Sequence, residues 1–287
     1  MTSFSAAQDR ILEELPSLST ELRKAARFLL DHPDEVALVS MRVLASRSEV
    51  TPTTFVRLAR RLGFGDWSQL REPFENRLRS GNSPYAAKAD ALVTGSARET
   101  IFAESVNATA ANVTALTKTN SARDISAACV LLEKARRVHV VGFRSCRAPA
   151  HCLVYLCRMF RNDVTLLGSD GGALEAELAS LNRDEAVVAI GFQPYSRELG
   201  LVVDVARRRS APVLAIIDSM AAPVARDADV TLRFLVDGPS FFPSVAAAVA
   251  AVEALAAAML ARSGAKGAAK VRQTEAELKA LGAYLPD

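Results

Sequence analysis

The hydrophobic period of this chain changes once, near Ser121, and that change constrains the fold more than any other feature. Upstream, apolar residues recur at helical spacing: Leu22, Ala25, Ala26, Leu29 and Leu30, then Met41, Leu44 and Ala45, then Phe55, Leu58, Ala59 and Leu62. Pro33, the Thr51-Pro52 pair and Gly63 to Gly65 punctuate these segments as short turns. A compact bundle of short helices follows from that pattern. Downstream, short β-branched runs stand at 138–142, 164–167, 187–191, 213–217 and 230–235, and helix-length segments at 148–161, 173–181 and 197–209 separate most of them. Apolar strands alternating with helices predict an α/β unit with a doubly wound, five-stranded parallel sheet covered on both faces. An alanine-rich helix over 243–262 closes it, and a charged, helix-prone tail follows.

A length of 287 residues suits two domains at about 150 residues each. Ser80-Gly81-Asn82-Ser83-Pro84 is a breaker cluster, so the expected division is a helical domain at 1–80, a helical linker at 81–120, the α/β domain at 121–265 and a tail at 266–287. Within the linker, 97–118 carries Ile101, Val106, Ala110, Val113 and Leu116, a pattern for bridging the domains or packing on a second subunit.

The net charge of +3 is too mild to identify a nucleic-acid partner from the total. The start, MTSFSAAQDRILEEL, lacks a basic region followed by an apolar run, and the apolar stretch 245–261 is mostly alanine and contains Glu253. Cys129, Cys146, Cys152 and Cys157 form no CxxC pair. These features predict a cytoplasmic protein with reduced thiols and no membrane partner.

Local charge says more than the total. Within 43–64, VLASRSEVTPTTFVRLARRLGF, a short helix leads through Ser48-Glu49-Val50 into a second helix. Thr51 is a good N-cap and Pro52 suits the first helical position. Phe55, Leu58, Ala59 and Leu62 face inward, leaving Thr53, Thr54, Arg57, Arg60 and Arg61 for other faces. Arg42, Arg47, Arg57, Arg60 and Arg61 stand against Glu49 alone. A helix-turn-helix needs this arrangement, with polar side chains at the head of the second helix meeting bases and arginines meeting phosphates. A charge run by itself is more commonly a solvated helix face. The order Leu44-Ala45, Val50-Thr51, Thr54, Arg57, Arg60-Arg61-Leu62-Gly63-Phe64, then Trp67 and Leu70, is more specific. In this order the segment resembles the N-terminal helix-turn-helix of the RpiR/MurR family of bacterial transcription regulators. The resemblance implies operator DNA as a partner, with Thr51, Thr53, Thr54, Arg57, Arg60 and Arg61 at the interface.

In the α/β unit, two strand-to-helix turns stand out: Gly142-Phe143-Arg144-Ser145-Cys146 and Gly191 through Glu198. Open α/β sheets bind ligands beyond the carboxyl ends of their strands, where helix amides and a cation such as Arg144 favour an anion. Together the turns resemble those of the sugar isomerase (SIS) domain, a phosphosugar-binding module found as the second half of RpiR/MurR regulators. The family's first turn is usually Gly-x-Gly-x-Ser, and here Cys146 takes the serine's place. Its second is usually Ser-x-Ser-Gly-x-Thr-x-Glu, of which only Ser196 and Glu198 survive here. The resemblance implies a small-molecule effector, a sugar phosphate or a related polar ligand, held by Arg144, Ser145, Cys146, Gln193, Ser196 and Glu198. It also implies a homo-oligomer, a dimer or a tetramer.

Ser169-Asp170 and Asp218-Ser219 reach the same sheet edge, as local turn caps or as further site residues, and Ser240 faces the pocket or starts the last helix. Cys152 and Cys157 do not share a helix face, so no metal and no cofactor are expected, and His139 reads as structural. An isomerase needs a placed base, and Glu198 is the only acid in a matching turn, with no histidine paired to it. No Ser-His-Asp set or nucleophile elbow is present, so no catalytic residue is assigned. The expected function is transcription regulation by a metabolite; the alternative is a SIS-type sugar-phosphate isomerase with an accessory helical domain.

Overall fold

The computed structural model describes residues 4–79, 84–94, 99–168 and 174–285, so the Ser80 to Ser83 breaker and Ser169-Asp170 lie outside the described residues. The chain divides into two compact units, Met1–Ser105 with Ser219–Ala221 and Pro239–Pro243, and Val106–Asp218 with Ala222–Gly238 and Ser244–Asp287.

The first unit is helical. Its helices are α1 (Phe4–Glu14), α2 (Thr20–Asp31), α3 (Pro33–Leu38), α4 (Met41–Arg47), α5 (Pro52–Arg61), α6 (Trp67–Arg79) and α7 (Pro84–Thr94). The residues predicted to face inward do so: Leu29, Leu44, Phe55, Leu58, Ala59 and Leu62 share one core with Trp67, Leu70 and Phe74. Between α4 and α5 the chain turns in four residues, Ser48 to Thr51. Glu49 takes a left-handed conformation (φ 55°), the Val50 amide reaches back to the Ala45 carbonyl at 3.0 Å, and the Glu49 amide reaches Ser46 at 3.4 Å. These are the two hydrogen bonds of a Schellman stop. The same device ends α5. Gly63 has φ 79°, its amide meets the Arg60 carbonyl at 3.1 Å, and the Phe64 amide meets Ala59 at 2.9 Å while the Phe64 ring enters the core. The Leu62-Gly63-Phe64 sequence is thus a cap, and its glycine is required by backbone conformation.

In the second unit, α8 (Ile101–Thr119), which begins in the first unit, leads into α9 (Ala122–Lys134), a helix the sequence reading leaves unassigned. Ser121 starts α9 through a capping box. Its hydroxyl accepts from the Asp124 amide at 3.2 Å, and the Asp124 carboxylate accepts from the Ser121 amide at 2.8 Å. The strands are β1 (Arg137–Gly142), β2 (Val164–Leu166), β3 (Glu185–Gly191), β4 (Val213–Ile217) and β5 (Val230–Arg233). They pair in the order β2-β1-β3-β4-β5, every pair parallel. One face is packed by α11 (Leu174–Ala179), α12 (Arg197–Arg208) and α13 (Pro223–Arg226), whose apolar side chains meet Val141, Val187, Ala189, Val213 and Ala215. Against the other lies α10 (Arg147–Arg158), on β1 and β2, and α14 (Ala246–Ala280) packs on α10 and α9. The predicted α/β architecture with five parallel strands is the observed one.

Helix α14 runs past the predicted end at 262 and is interrupted at Gly264. It is long and apolar enough to cross a bilayer by length and composition. However, Ala247, Ala248, Val252, Leu255, Ala256 and Met259 are buried within this unit. The sheet's outer strands are covered by side chains, which blunts edge pairing. The Asn120 amide group pairs with both backbone groups of Arg233 on β5, at 2.6 and 2.7 Å. On β2, Arg158 donates to the Val164 carbonyl at 3.1 Å, and just beyond it Arg147 donates to Leu167 at 2.7 Å and Gly168 at 3.0 Å.

The two helix stops respond oppositely to substitution. Gly63→Ala is expected to lower stability by about 1 kcal/mol, and Glu49→Gly to raise it by roughly 0.5–1 kcal/mol. Urea unfolding followed by far-ultraviolet circular dichroism measures both.

Candidate functional site

Helix α5 presents two faces with different tasks. Phe55, Leu58, Ala59 and Leu62 are buried, and Thr53, Arg57 and Arg60, at spacings of four and three, form one exposed strip opposite them. Among the described residues Arg42, Arg57 and Arg60 make no ion pair, so their guanidinium groups are available to phosphates or base edges. Arg61 is committed elsewhere: it pairs with Glu14 at 2.9 Å and donates to the Ser17 hydroxyl at 3.2 Å. Arg47 is likewise paired, with Glu35. Thr54, expected on an outer face, is buried, and its hydroxyl lies 3.0 Å from that of Thr51. Thr51 does precede the helix as predicted, but its hydroxyl bonds Thr53 and Thr54 rather than a helix amide. Three threonine hydroxyls thereby form a small network at the head of α5. The exposed part of it, Thr51 and Thr53, continues the arginine strip.

The second locus is the carboxyl edge of the sheet, where the turns after β1, β3 and β4 converge. Gly142 permits the first turn, because a Cβ there would overlap the Cys146 carbonyl. Arg144 then takes a left-handed conformation (φ 54°) and remains exposed. Cys146, in the position of the family's serine, is only 4% exposed. Burial is the main cause that pushes its thiol up to about 12, helped by the charge of Asp218. It is a wall of the site rather than a ligand group offered to solvent. Ser145 beside it is half-buried.

After β3, the Gln193-Pro194 peptide is cis and Gln193 is exposed. Tyr195 donates to Asp218 at the end of β4, and the Gln193 amide reaches the other Asp218 oxygen at 3.2 Å. Asp218 is 3% exposed, and burial raises its carboxyl above the ordinary range despite both hydrogen bonds. This Tyr195–Asp218 brace fixes the β3 turn, and composition alone gave no signal that distinguished it from a local cap. Ser196 caps α12 by accepting from the Leu199 amide at 3.2 Å. Its hydroxyl also bonds Glu198, whose carboxylate is held below its usual range first by its own backbone amide, then by Ser196 and the charge of Arg144. The structure therefore brings Arg144, Ser145, Cys146, Ser196 and Glu198 to one edge, with Gln193 in the β3 turn. It leaves Arg144, Gln193 and Glu198 exposed.

Comparison with known proteins places residues 131–260 in the SIS domain family. The HTH-type transcriptional regulator HexR of Pseudomonas aeruginosa is 25% identical over 219 residues, 76% of this chain and 75% of that protein. The bifunctional protein glk of Paraburkholderia xenovorans is 26% identical over 232 residues, 80% of this chain but only 35% of its own length. Among solved structures, the sugar isomerase domain of an RpiR transcription factor from Sphaerobacter thermophilus matches with a TM-score of 0.58 at 24% identity, over 61% of this chain and 98% of that one. The Vibrio vulnificus NanR protein complexed with ManNAc-6P matches with a TM-score of 0.54 at 18% identity, over 96% of this chain and 99% of that one. These two likenesses establish the fold.

Burial orders the thiols by reactivity. At pH 8 iodoacetamide is expected to alkylate half-buried Cys152 first, while Cys146 and Cys157, both pushed up to about 12, react only on unfolding. Peptide mapping by mass spectrometry reads the order.

Proposed function

We propose that this SIS-domain protein of the RpiR/MurR kind is a DNA-binding transcription regulator: its helical unit holds operator DNA, and its α/β unit senses a small polar metabolite. The observation that carries the reading is the exposed strip Thr53, Arg57 and Arg60 on a helix that follows the Schellman stop of α4 and is closed by its own at Gly63. Such a helix suits the major groove, where its N-terminal residues meet base edges and arginines meet phosphates. A cytoplasmic dimer would present two such helices to a two-fold operator, with half-sites about one helical turn, or a multiple, apart.

The carboxyl edge of the sheet supports effector binding more readily than catalysis. Isomerising a sugar phosphate moves a proton between carbons and calls for a base that titrates near neutrality. Glu198 is exposed and held below its usual range, and Asp218 is enclosed with both oxygens bonded. The exposed guanidinium of Arg144 favours an anionic group, and Glu198 can accept from ligand hydroxyls. Because Ser196 already bonds within its own loop, Arg144 is the stronger determinant. An effector changes operator affinity only by its differential affinity for the protein's two states, typically about 1–3 kcal/mol.

Genomic fragments captured by the protein supply the operator for fluorescence-anisotropy titration. Arg57→Ala should weaken operator binding by roughly 1–3 kcal/mol and relax specificity at one base step. Arg60→Ala should weaken all sequences alike and flatten the salt dependence. Arg61→Ala, already paired within its unit, should change affinity least. Parent-like binding by both Arg57→Ala and Arg60→Ala would remove DNA from the account. Separately, Arg144→Ala is expected to abolish the response of operator binding to sugar phosphates while leaving binding without effector intact. Turnover of any of those sugar phosphates by the parent protein would favour the isomerase instead.

A further inference from the structure

A cleft of about 480 Å³ runs along the β2 side of the sheet, lined by residues of α10, β1, β2 and α11 and by none of the carboxyl-edge residues described above. Its wall of α10 carries His151, Tyr155 and Arg158, which at spacings of four and three share one helix face. Arg137 and His139 enter from alternate positions of β1, and the parallel register sets Thr165 of β2 beside His139. The volume is in the range of small-molecule sites.

The polar groups of this cleft are unusually donor-rich and partly pre-set. His139 is 6% exposed, with Nε2 3.1 Å from Glu185 Oε2 and Nδ1 3.1 Å from the Thr165 hydroxyl. Glu185, itself buried, is also bound by Arg136 and accepts from the Asn182 amide at 3.2 Å. Held between Glu185 and Thr165, the His139 ring has a fixed orientation at the floor of the cleft. Arg158 spends Nε on the Val164 carbonyl, so its terminal nitrogens remain for a ligand, and Arg137 makes no ion pair among the described residues. The one carboxylate of the lining, Glu177, is taken by the Gly168 amide at 2.6 Å. Two guanidinium groups with no carboxylate committed to them call for a compact dianion. Tyr155, 59% exposed, offers a ring face beside them.

We propose that this cleft is a second small-molecule site, separate from the carboxyl-edge site, that binds a phosphate monoester through Arg137 and Arg158. Tyr155 packs on the ester's carbon portion, and His151 adds a hydrogen bond. The ligand class is set by the donors: a neutral sugar leaves both cations unpaired, and a monoanion leaves one of them so.

The test uses the full-length chain, phenyl phosphate as probe, and ring-nitrogen NMR of ¹⁵N-histidine-labelled protein, which reports the cleft directly. Titration should shift the His151 signal saturably. Benzoate, with one charge, should bind at least ten-fold more weakly, and inorganic phosphate should lose the part of the affinity that Tyr155→Leu also removes. Arg137→Gln alters an exposed side chain, so the fold is retained, and it should raise Kd at least ten-fold. Arg158→Gln, checked for folding by its melting temperature, should do the same. The His151 shift should persist in Arg144→Ala, and Arg137→Gln should leave operator binding unchanged, which separates this proposal from the regulatory reading. Absence of a saturable His151 shift, parent-like affinity in Arg137→Gln, or loss of the shift in Arg144→Ala would each overturn it.

Discussion

The parallel pairing of β1 with β3 is the constraint on which the second unit depends. Six consecutive residue pairs, from Arg137 opposite Glu185 to Gly142 opposite Ile190, set the two strands in a register that ends them together. Parallel strands need helical crossovers, so every strand-to-helix turn leaves the sheet at the same edge. Cys146, Tyr195 and Asp218 are brought together for that reason, although they come from three different turns. The same register places His139 near Glu185 at the opposite end of the ladder, where a buried carboxylate is tolerable only with partners. One piece of pairing thus organises both ends of the sheet. The apolar strip between them, Val140, Val141, Val187 and Val188, is fully enclosed and accepts no water-filled gap.

Arginine usage shows how a nearly neutral chain acquires local polarity. Some guanidinium groups are spent on structure: Arg71 holds the Val36 and Ala37 carbonyls at 3.0 and 2.7 Å, and Arg161 holds Leu132 at 2.9 Å and Asp163 at 2.5 Å. Others, such as Arg61 and Arg47, are pinned to glutamates on neighbouring helices. Arg42, Arg57 and Arg60 are exposed and free of ion pairs among the described residues, and they fall in one stretch of about twenty residues. A field of one sign therefore arises on one element while the total stays at +3. Counting arginines in the sequence does not separate these groups, because the separation depends on which acid folds beside each.

Much of the fold was legible for a physical reason: periodicity reports burial, and burial decides packing. The strand runs and the inward face of α5 followed from that alone. Helix α9 was missed because its apolar residues are interleaved with Asp124, Glu133 and Lys134 and it abuts β1 after a single turn, so no breaker announces it. The extent of α14 was missed because Gly264 and the charged residues beyond it read as a tail, although the helical hydrogen bonding resumes. Of the residues expected to meet DNA, Thr54 falls on the buried side by one position in the helical wheel. A threonine one residue before a core phenylalanine sits on the boundary, and tertiary packing decided it. Within the effector edge, position along the chain was readable but the division of labour was not. Whether a serine caps a helix or waits for a ligand depends on where its hydroxyl points.

That division bears on what the edge can discriminate. Where the family pattern supplies hydroxyls, this chain supplies a neutral, enclosed thiol at Cys146, a glycine at Gly191 and an amide at Gln193, while Tyr195 beside them is turned onto Asp218. Selection against a wrong ligand is strongest when a site leaves its own buried polar groups unpaired unless the right partner arrives. Here those groups are already satisfied internally: Tyr195 by Asp218, Asp218 by Tyr195 and the Gln193 amide, Ser196 by Leu199 and Glu198. Little is lost when a hydroxyl of the ligand is missing or inverted. What remains selective is charge, through Arg144 against Glu198, and the shape of a turn held rigid by the Tyr195–Asp218 brace. An effector site of the kind proposed at this edge would grade ligands by anionic character and outline more than by the stereochemistry of individual hydroxyls.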